Sequence, residues 1–383
     1  MKTTARGFTL VELMVALAIA AITGVVVLQV LTTYQTRRQT VSGSNDAEIN
    51  VSLGMFAVER EVRMAGAGYT VDDGTVGVRC QNGINIISQS NAYNGNAPMP
   101  VRIIDGGGNA PDQIEIMRSN AEQGLGPSQL TQGMSAAIDD ITVSDSSGFS
   151  KVAANQANGT RTLALVVAAD PLQLCTMLEV TKATPVSADA GNVDWFLEHS
   201  AEDSPYNPED PTVAFDTPMT YGLGDGVVNL GNFGIRRFEI VCNDGDAPSA
   251  TNSCDLKWYN VLEESTPTMA NTESVASQVV DLQAQYGIAD ADSNAVSQWV
   301  DADGSWAGFL GPQQISRIKA VRVAIVTRSN REGGAVAPTS LVLWPDDALG
   351  DEKTYDPSGG EQNYRYQTLS VVIPLINVIW SGS

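Results

Sequence analysis

Residues Gly7 to Leu31 read GFTLVELMVALAIAAITGVVVLQVL, preceded by a short basic leader, Met1 to Gly7, that carries Lys2 and Arg6. From Phe8 to Leu31 there are 24 residues with no Lys, Arg, Asp or Pro. At about 1.5 Å per residue the run can cross a hydrocarbon core of about 30 Å. Its only charge is Glu12. A carboxylate in the first turns of a membrane-length helix is costly in hydrocarbon and needs a partner. That need points to assembly rather than catalysis. A secretory signal peptide has a shorter apolar region with its small-residue cleavage site on the far side. Here the small residue, Gly7, lies before the run. A plain membrane anchor leaves Glu12 without a reason.

Gly7-Phe8-Thr9-Leu10-Val11-Glu12 resembles the processing site of the type IV filament superfamily, the pilins and the pseudopilins of type II secretion. Leader charge, glycine, aromatic, acidic residue and apolar run occur in the superfamily's order. The resemblance implies cleavage between Gly7 and Phe8 by a prepilin peptidase and N-methylation of Phe8. It also implies that Glu12 faces the freed amine of a neighbouring subunit. Two opposite charges, each expensive alone in a dry bundle, are tolerated as a pair. Lys2 and Arg6 hold the amino end in the cytoplasm. Arg37 and Arg38 argue mildly the other way, but the leader comes first, so the head is expected in the periplasm.

The chain has 383 residues and a formal charge of −22. Some 350 residues follow the membrane run, enough for one large domain or two ordinary ones. The acidity excludes a nucleic-acid role, which needs a basic footprint. It suits solubility, a basic partner or divalent cations. The four cysteines are Cys80, Cys175, Cys242 and Cys254, an even number that suggests disulfides outside the cytoplasm. Three pairings are open. Cys242 and Cys254 flank an Asn/Asp/Gly/Ser/Pro-rich loop, which favours a hairpin-closing bridge and leaves Cys80 with Cys175. Such a bridge contributes on the order of 3 kcal/mol.

No proline occurs between Leu31 and Ala67, so the helix is expected to continue past the membrane. Ile49, Leu53 and Phe56 recur at helical spacing. Val51, Met55, Val58, Val62 and Ala65 form a second stripe, read here as lying beside the first, so that one wide apolar face rests on a sheet. Asp46, Glu48, Glu59, Arg60, Glu61 and Arg63 are assigned to the polar side. Gly66, Gly68 and Asp72-Asp73-Gly74 are expected to end the helix. Beyond residue 70 the pattern turns to short Val/Ile-rich runs between Gly/Asn/Pro/Ser loops. Strands are predicted at 101–104, 113–118, 161–168, 178–182, 234–242, 256–262, 279–286, 318–328 and 364–375.

The expected organisation is a leader at 1–7, a filament-core helix at 8–31, its amphipathic continuation at 32–67 and a β-rich head at 70–383, with two sub-lobes a further expectation. The fold class is α+β, the pilin-like arrangement of a long N-terminal helix packed on a large antiparallel β-rich head.

Two further stretches narrow the resemblance. VEREVRMAGAGY (Val58 to Tyr69) is similar to the helix end of PilW-family minor pilins. The order Tyr286-Gly287, an Asp-rich loop, Trp299-Val300 and Trp306, then a strand ending Arg328-Ser329 is similar to that family as well. The stretches touch under a third of the chain, and residues 85 to 270 resemble nothing recognised. Membership in this family implies a minor pilin that is incorporated in or primes a type IV pilus, best placed at its tip because a bulky head obstructs a repeating shaft. It implies other minor pilins and the major pilin as partners, the platform and motor machinery, and a PilY-type tip adhesin. A minor pseudopilin of type II secretion and a tip adhesin module are the alternatives.

Asp290, Asp292, Asn294, Gln298 and Asp301 stand at positions 1, 3, 5, 9 and 12 of a loop, the oxygen spacing of an EF-hand that would take calcium. Ala295 where a glycine is wanted, Asp301 where a glutamate is usual, and the lack of flanking helices favour a solvated acidic turn. Catalysis finds little support. The single histidine, His199, leaves no nucleophile–base pair, and no phosphate-binding or dinucleotide loop is present. The tryptophans read as core or interface residues.

Overall fold

The computed structural model describes residues 9–67, 80, 82–88, 92–108, 110–119, 127–146, 148–152, 162–170, 172–187, 193–231, 234–244, 248–249, 252–264, 267–270, 272–291, 293–330, 338–357 and 359–380. One helix, α1, runs from Leu10 to Arg63, 54 residues, so it is about 80 Å long. Thr9 caps it, and Met64 and Gly66 close it. The Gly66 N–H, at φ 79°, donates to the carbonyl of Met117 at 2.9 Å. Gly68 and Asp72 to Gly74 lie outside the described residues.

The two apolar stripes on the second half of α1 do not form one face. Ala47, Val51, Met55, Val58 and Val62 are buried, whereas Ile49, Leu53 and Phe56 are 57%, 51% and 65% exposed. At about 100° per residue the two sets point to opposite sides of the helix. The expectation of a single wide face is therefore corrected: only the first stripe rests on the head. Glu61 is corrected too. It stands on the flank of the buried stripe and is 2% exposed.

Strands are numbered in chain order. Beneath α1 lie two antiparallel sheets. One has the order β13 (Glu273–Ser277), β12 (Cys254–Asn260), β11 (Gly234–Cys242), β3 (Gln113–Arg118), β2 (Val101–Ile104). The other has the order β15 (Val296–Val300), β14 (Val279–Ala289), β16 (Ile318–Arg328), β19 (Tyr366–Pro374). Gln278, at φ 57°, turns the chain from the first sheet into the second. The helix lies close to both. A Cβ on Gly54 would stand 3.3–3.4 Å from Ala276, Leu256 and Ile325. The Thr327 hydroxyl donates to the Ala47 carbonyl at 2.8 Å. Met55, Val58, Ile114, Ile116, Phe238, Leu282, Tyr286 and Ile325 share one core between helix and sheets. It is held together chiefly by removal of apolar surface from water.

Residues between about 80 and 230 build a second group of sheets. One has the order β1 (Ile84–Asn85), β7 (Cys175–Val180), β6 (Thr162–Val167), β10 (Gly226–Asn229), β4 (Ser128–Gln129), with β1 parallel to β7. A three-stranded sheet, β5 (Ile141–Val143), β9 (Val193–Glu198), β8 (Lys182–Ser187), packs on it through Leu178, Leu197, Ile141 and Met134. The hairpin β17 (Leu341–Trp344) and β18 (Lys353–Tyr355) covers the face of the β14–β16 sheet away from α1, over Val280, Ala324 and Val326. The strand predicted at 178–182 is corrected. Its residues straddle the end of β7 and the start of β8. Pro185 fits in β8 because that strand is an edge.

Candidate functional site

Gly7 and Phe8 lie outside the described residues. The chain just after them forms a capping box. The Glu12 N–H donates to Thr9 Oγ1 at 3.3 Å, and Glu12 Oε2 accepts from the Thr9 N–H at 2.9 Å and from its hydroxyl at 3.0 Å. Such a box satisfies donors that a helix end leaves open. Among the described residues no Lys or Arg forms an ion pair with Glu12. Its carboxylate is held by its own helix end and keeps an exposed face. From Leu10 to Gln35 the helix has mean hydropathy 2.5 and none of its apolar window is buried. It is the one helix among the described residues long and apolar enough to cross a membrane.

Glu61, 49 positions along the same helix, is treated differently. Its Oε2 accepts from Arg118 at 2.8 Å, and its Oε1 meets Arg236 at 2.8 Å and Arg60 at 3.1 Å. Arg236 also stacks on Trp258, 4.1 Å from the ring centre. The carboxylate thus bolts the end of α1 to β3 and β11. A second buried carboxylate, Glu115 on β3, accepts from Arg102 on β2 at 2.6 Å and from Arg237 on β11. Burial pushes Glu115 up, but the two guanidiniums outweigh it and hold it below the usual carboxylate range. Sequence reasoning missed both clusters. The signal for the second lay in register, since Arg102 and Arg237 sit directly across from Glu115 on its two neighbour strands. That is visible only once the pairing is known.

The order Tyr-Gly, acidic loop, Trp, Arg-Ser has a physical reading. Gly287 on β14 pairs with Trp299 on β15, and a Cβ on Gly287 would stand 2.6 Å from the indole. The glycine is therefore the floor on which the tryptophan lies. The Tyr286 hydroxyl accepts from the Ile103 N–H at 2.6 Å, tying the two sheets. Arg328, at the end of β16, donates to the carbonyls of Ser249 (2.5 Å) and Asn252 and to Gln278 Oε1 at 3.3 Å, so it braces the corner between sheets. The Ser329 hydroxyl accepts from the Arg365 N–H at 3.2 Å.

Both disulfides are formed, Cys80 with Cys175 and Cys242 with Cys254. Cys242 and Cys254 stand opposite each other where β11 ends and β12 begins, and Cys175 opens β7. The EF-hand-like loop is the hairpin between β14 and β15. Asp290 accepts from the Ser297 hydroxyl at 3.2 Å. Asn294 lies in the turn, Gln298 is a strand residue paired with Ile288, and Asp301 accepts from Gln285 at 2.7 Å. Asp292 lies outside the described residues. Among the described residues no three His, Cys, Asp or Glu side chains come together as a metal site. His199 is a packed residue, its ring nitrogens 3.1 Å from the Leu197 carbonyl and 3.3 Å from that of Ala137. Burial pushes its pKa down.

Two protein-family models match the chain. The prokaryotic N-terminal methylation motif matches residues 2–28, and Type IV Pilus-assembly protein W matches residues 250–377. No curated protein and no solved structure matches. The second match spans β12 to β19, and so includes the Gly287–Trp299 pair and the Arg328 corner. The two matches support a type IV pilus-associated minor pilin, anchored in the membrane by its apolar helix and acting with the pilus machinery. With the methylation motif at one end and the pilus-assembly match at the other, on a long apolar helix and a β-rich head, the chain is similar to the PilW-like type IV pilins.

Proposed function

We propose that this minor pilin joins or primes a type IV pilus, at its tip, together with other minor pilins. The observation that carries the reading is the division of α1. Its last third is packed on the head, while Leu10 to Gln35 finds no partner among the described residues. An apolar helix of that length is stable only in lipid or against other helices. In the membrane it waits as a single-pass anchor with the head in the periplasm; in the pilus it packs in the helical core. Cleavage between Gly7 and Phe8 leaves the Thr9 N–H an amide, so the cap on Glu12 survives processing. The carboxylate then keeps one face for the amine of a neighbour's Phe8. Ile49, Leu53 and Phe56 extend the apolar surface along the outer side of the helix. A bulky head suits the end of a filament, where nothing stacks above it. Prepilin peptidase, the platform and motor proteins, the major pilin and a PilY-type adhesin are the expected partners, in an assembly rather than a catalytic role.

The test is a clean deletion scored for surface pili with type II secretion measured in parallel. Loss of pili with secretion intact supports the reading; loss of secretion alone replaces it with a pseudopilin. A second reading, a tip adhesin module, is favoured by Leu172 and Leu223 on turns and Val213 on the short helix Pro211–Ala214, which are 71%, 75% and 83% exposed outside both family matches. Serine at all three positions should then lower adherence of piliated cells without changing pilus number.

A further inference from the structure

The buried arginines of the head fall into two groups. Arg328 has a carboxylate within 4.0 Å, as do the half-buried Arg102, Arg118, Arg236 and Arg237. Arg322 on β16 is 3% exposed and forms no ion pair among the described residues. Its Nε donates to Gln285 Oε1 at 2.6 Å. The guanidinium carbon lies 5.0 Å from the Trp299 ring centre and 4.5 Å from that of Trp344. Its Nη2 is buried with no acceptor among the described residues, and so is the indole N–H of the neighbouring Trp344. Asp301 and Asp347 act on Arg322 only through space. Asp301 is bonded to Gln285, and Asp347 Oδ1 accepts from the N–H groups of Leu349 and Gly350. Burial brings the pKa of Arg322 down to about 10, which leaves it cationic at neutral pH.

A buried cation with an open donor beside a second open donor is expensive unless an acceptor is supplied. We propose that Arg322 Nη2 and Trp344 Nε1 form a binding site for a small monovalent anion of the halide or formate class. Water accepts from both donors but brings no charge of its own to the guanidinium, which Asp301 and Asp347 reach only through space. The occupant is small. The backbone of Gly350 roofs the site so closely that a Cβ there would stand 2.9 Å from Arg322 Nη2 and 3.0 Å from Trp299 Cβ. The loop above carries Asp346, Asp347, Asp351 and Glu352, whose charge disfavours divalent anions such as sulfate or phosphate. The two tryptophan faces hold the guanidinium flat, so its open edge keeps one direction.

The experiment uses the full-length protein in detergent, titrated with sodium bromide or sodium formate against sodium sulfate at equal ionic strength. The expected result is a saturable rise in melting temperature with bromide and formate, about 2 °C at ten times Kd, and none with sulfate. Bromide should also quench tryptophan fluorescence over the same range. Trp344→Phe keeps the ring and loses the N–H, so it should raise the bromide Kd about fivefold, the loss of one hydrogen bond. Arg322→Gln should remove the response, and if that variant does not fold, Trp344→Phe decides. A melting temperature that follows ionic strength alone, or a bromide response equal in wild type and Trp344→Phe, overturns the proposal and leaves a buried water at the site.

Discussion

Two glutamates on one helix meet opposite fates. Glu12 sits among exposed apolar side chains and, among the described residues, is bonded only to its own helix end at Thr9. Glu61 sits among buried ones and is gripped by Arg60, Arg118 and Arg236. Both carboxylates stand in apolar surroundings that make an unpaired charge costly. The difference is the source of the pairing: the head supplies it for Glu61, and another subunit is proposed to supply it for Glu12. The same division runs along the apolar residues. Before Gln35 every apolar side chain described is exposed, whereas after Ala47 they sort into a buried stripe and an outer one. One helix thus presents an exposed apolar surface at one end and serves as a core element at the other.

The largest effect expected from breaking this contrast is Glu12→Val. Pilus incorporation should fall on the order of a hundredfold, the consequence of about 3 kcal/mol when a buried pair is broken. Membrane insertion and the melting temperature of the head should not change. Immunoblots of sheared pili against membrane fractions check this, and a variant that enters pili normally sinks the proposed role of Glu12. Glu61→Gln should do the reverse. It leaves the guanidiniums at the base of α1 without their anion and should cost about 3–5 kcal/mol of stability, read from urea denaturation. Unchanged stability there would show that the bolt is ornamental.

The two stripes give a paired test of smaller size. Val58→Ala should destabilise the head by about 2 kcal/mol, while Phe56→Ser should stay within about 0.5 kcal/mol and yet lower pilus number. If Phe56→Ser destabilises as much as Val58→Ala, the outer stripe belongs to the fold. The smallest effect is a pH dependence of the head itself. Burial raises Asp112 to about 7 and Asp281 to about 6. The folded state therefore binds protons that the unfolded state releases, and stability should fall as pH rises from 5 to 8. His199, lowered by burial, opposes this, because the unfolded state takes up its proton below its ordinary pKa. The net loss expected is on the order of 2 kcal/mol, measured by urea denaturation at the two pH values. Stability that rises over this window contradicts the burial of the two carboxylates.

Local pattern revealed the strands that are long or evenly apolar. Gly234–Cys242, Ile318–Arg328 and Gln113–Arg118 stand where period and β-branched content put them. The run at 279–286 continues to Ala289, because Gly287 and its neighbours pair with β15, which was not foreseen. The strands that escaped are short or broken by charge and small residues, such as Val193–Glu198, Glu273–Ser277 and Lys353–Tyr355. They are held by neighbours rather than by their own propensity. The PilW-like order of Tyr286-Gly287, Trp299 and Arg328 was visible as spelling. Its meaning as a glycine floor under an indole and a brace at a corner was not, since Gly287 and Trp299 touch only through strand pairing.

By itself the sequence determined the apolar helix and the place of its acidic residue. These depend on neighbours three or four positions apart, which a linear reading contains. It also determined an α+β class, through the change of period near residue 70. Only the tertiary structure decided which helical stripe is buried, that Glu61 is a core residue, and that Arg322 forms no ion pair among the described residues. Those outcomes depend on groups dozens to hundreds of residues apart, and the free energy that selects them is the desolvation of surfaces that meet only when the sheets have formed.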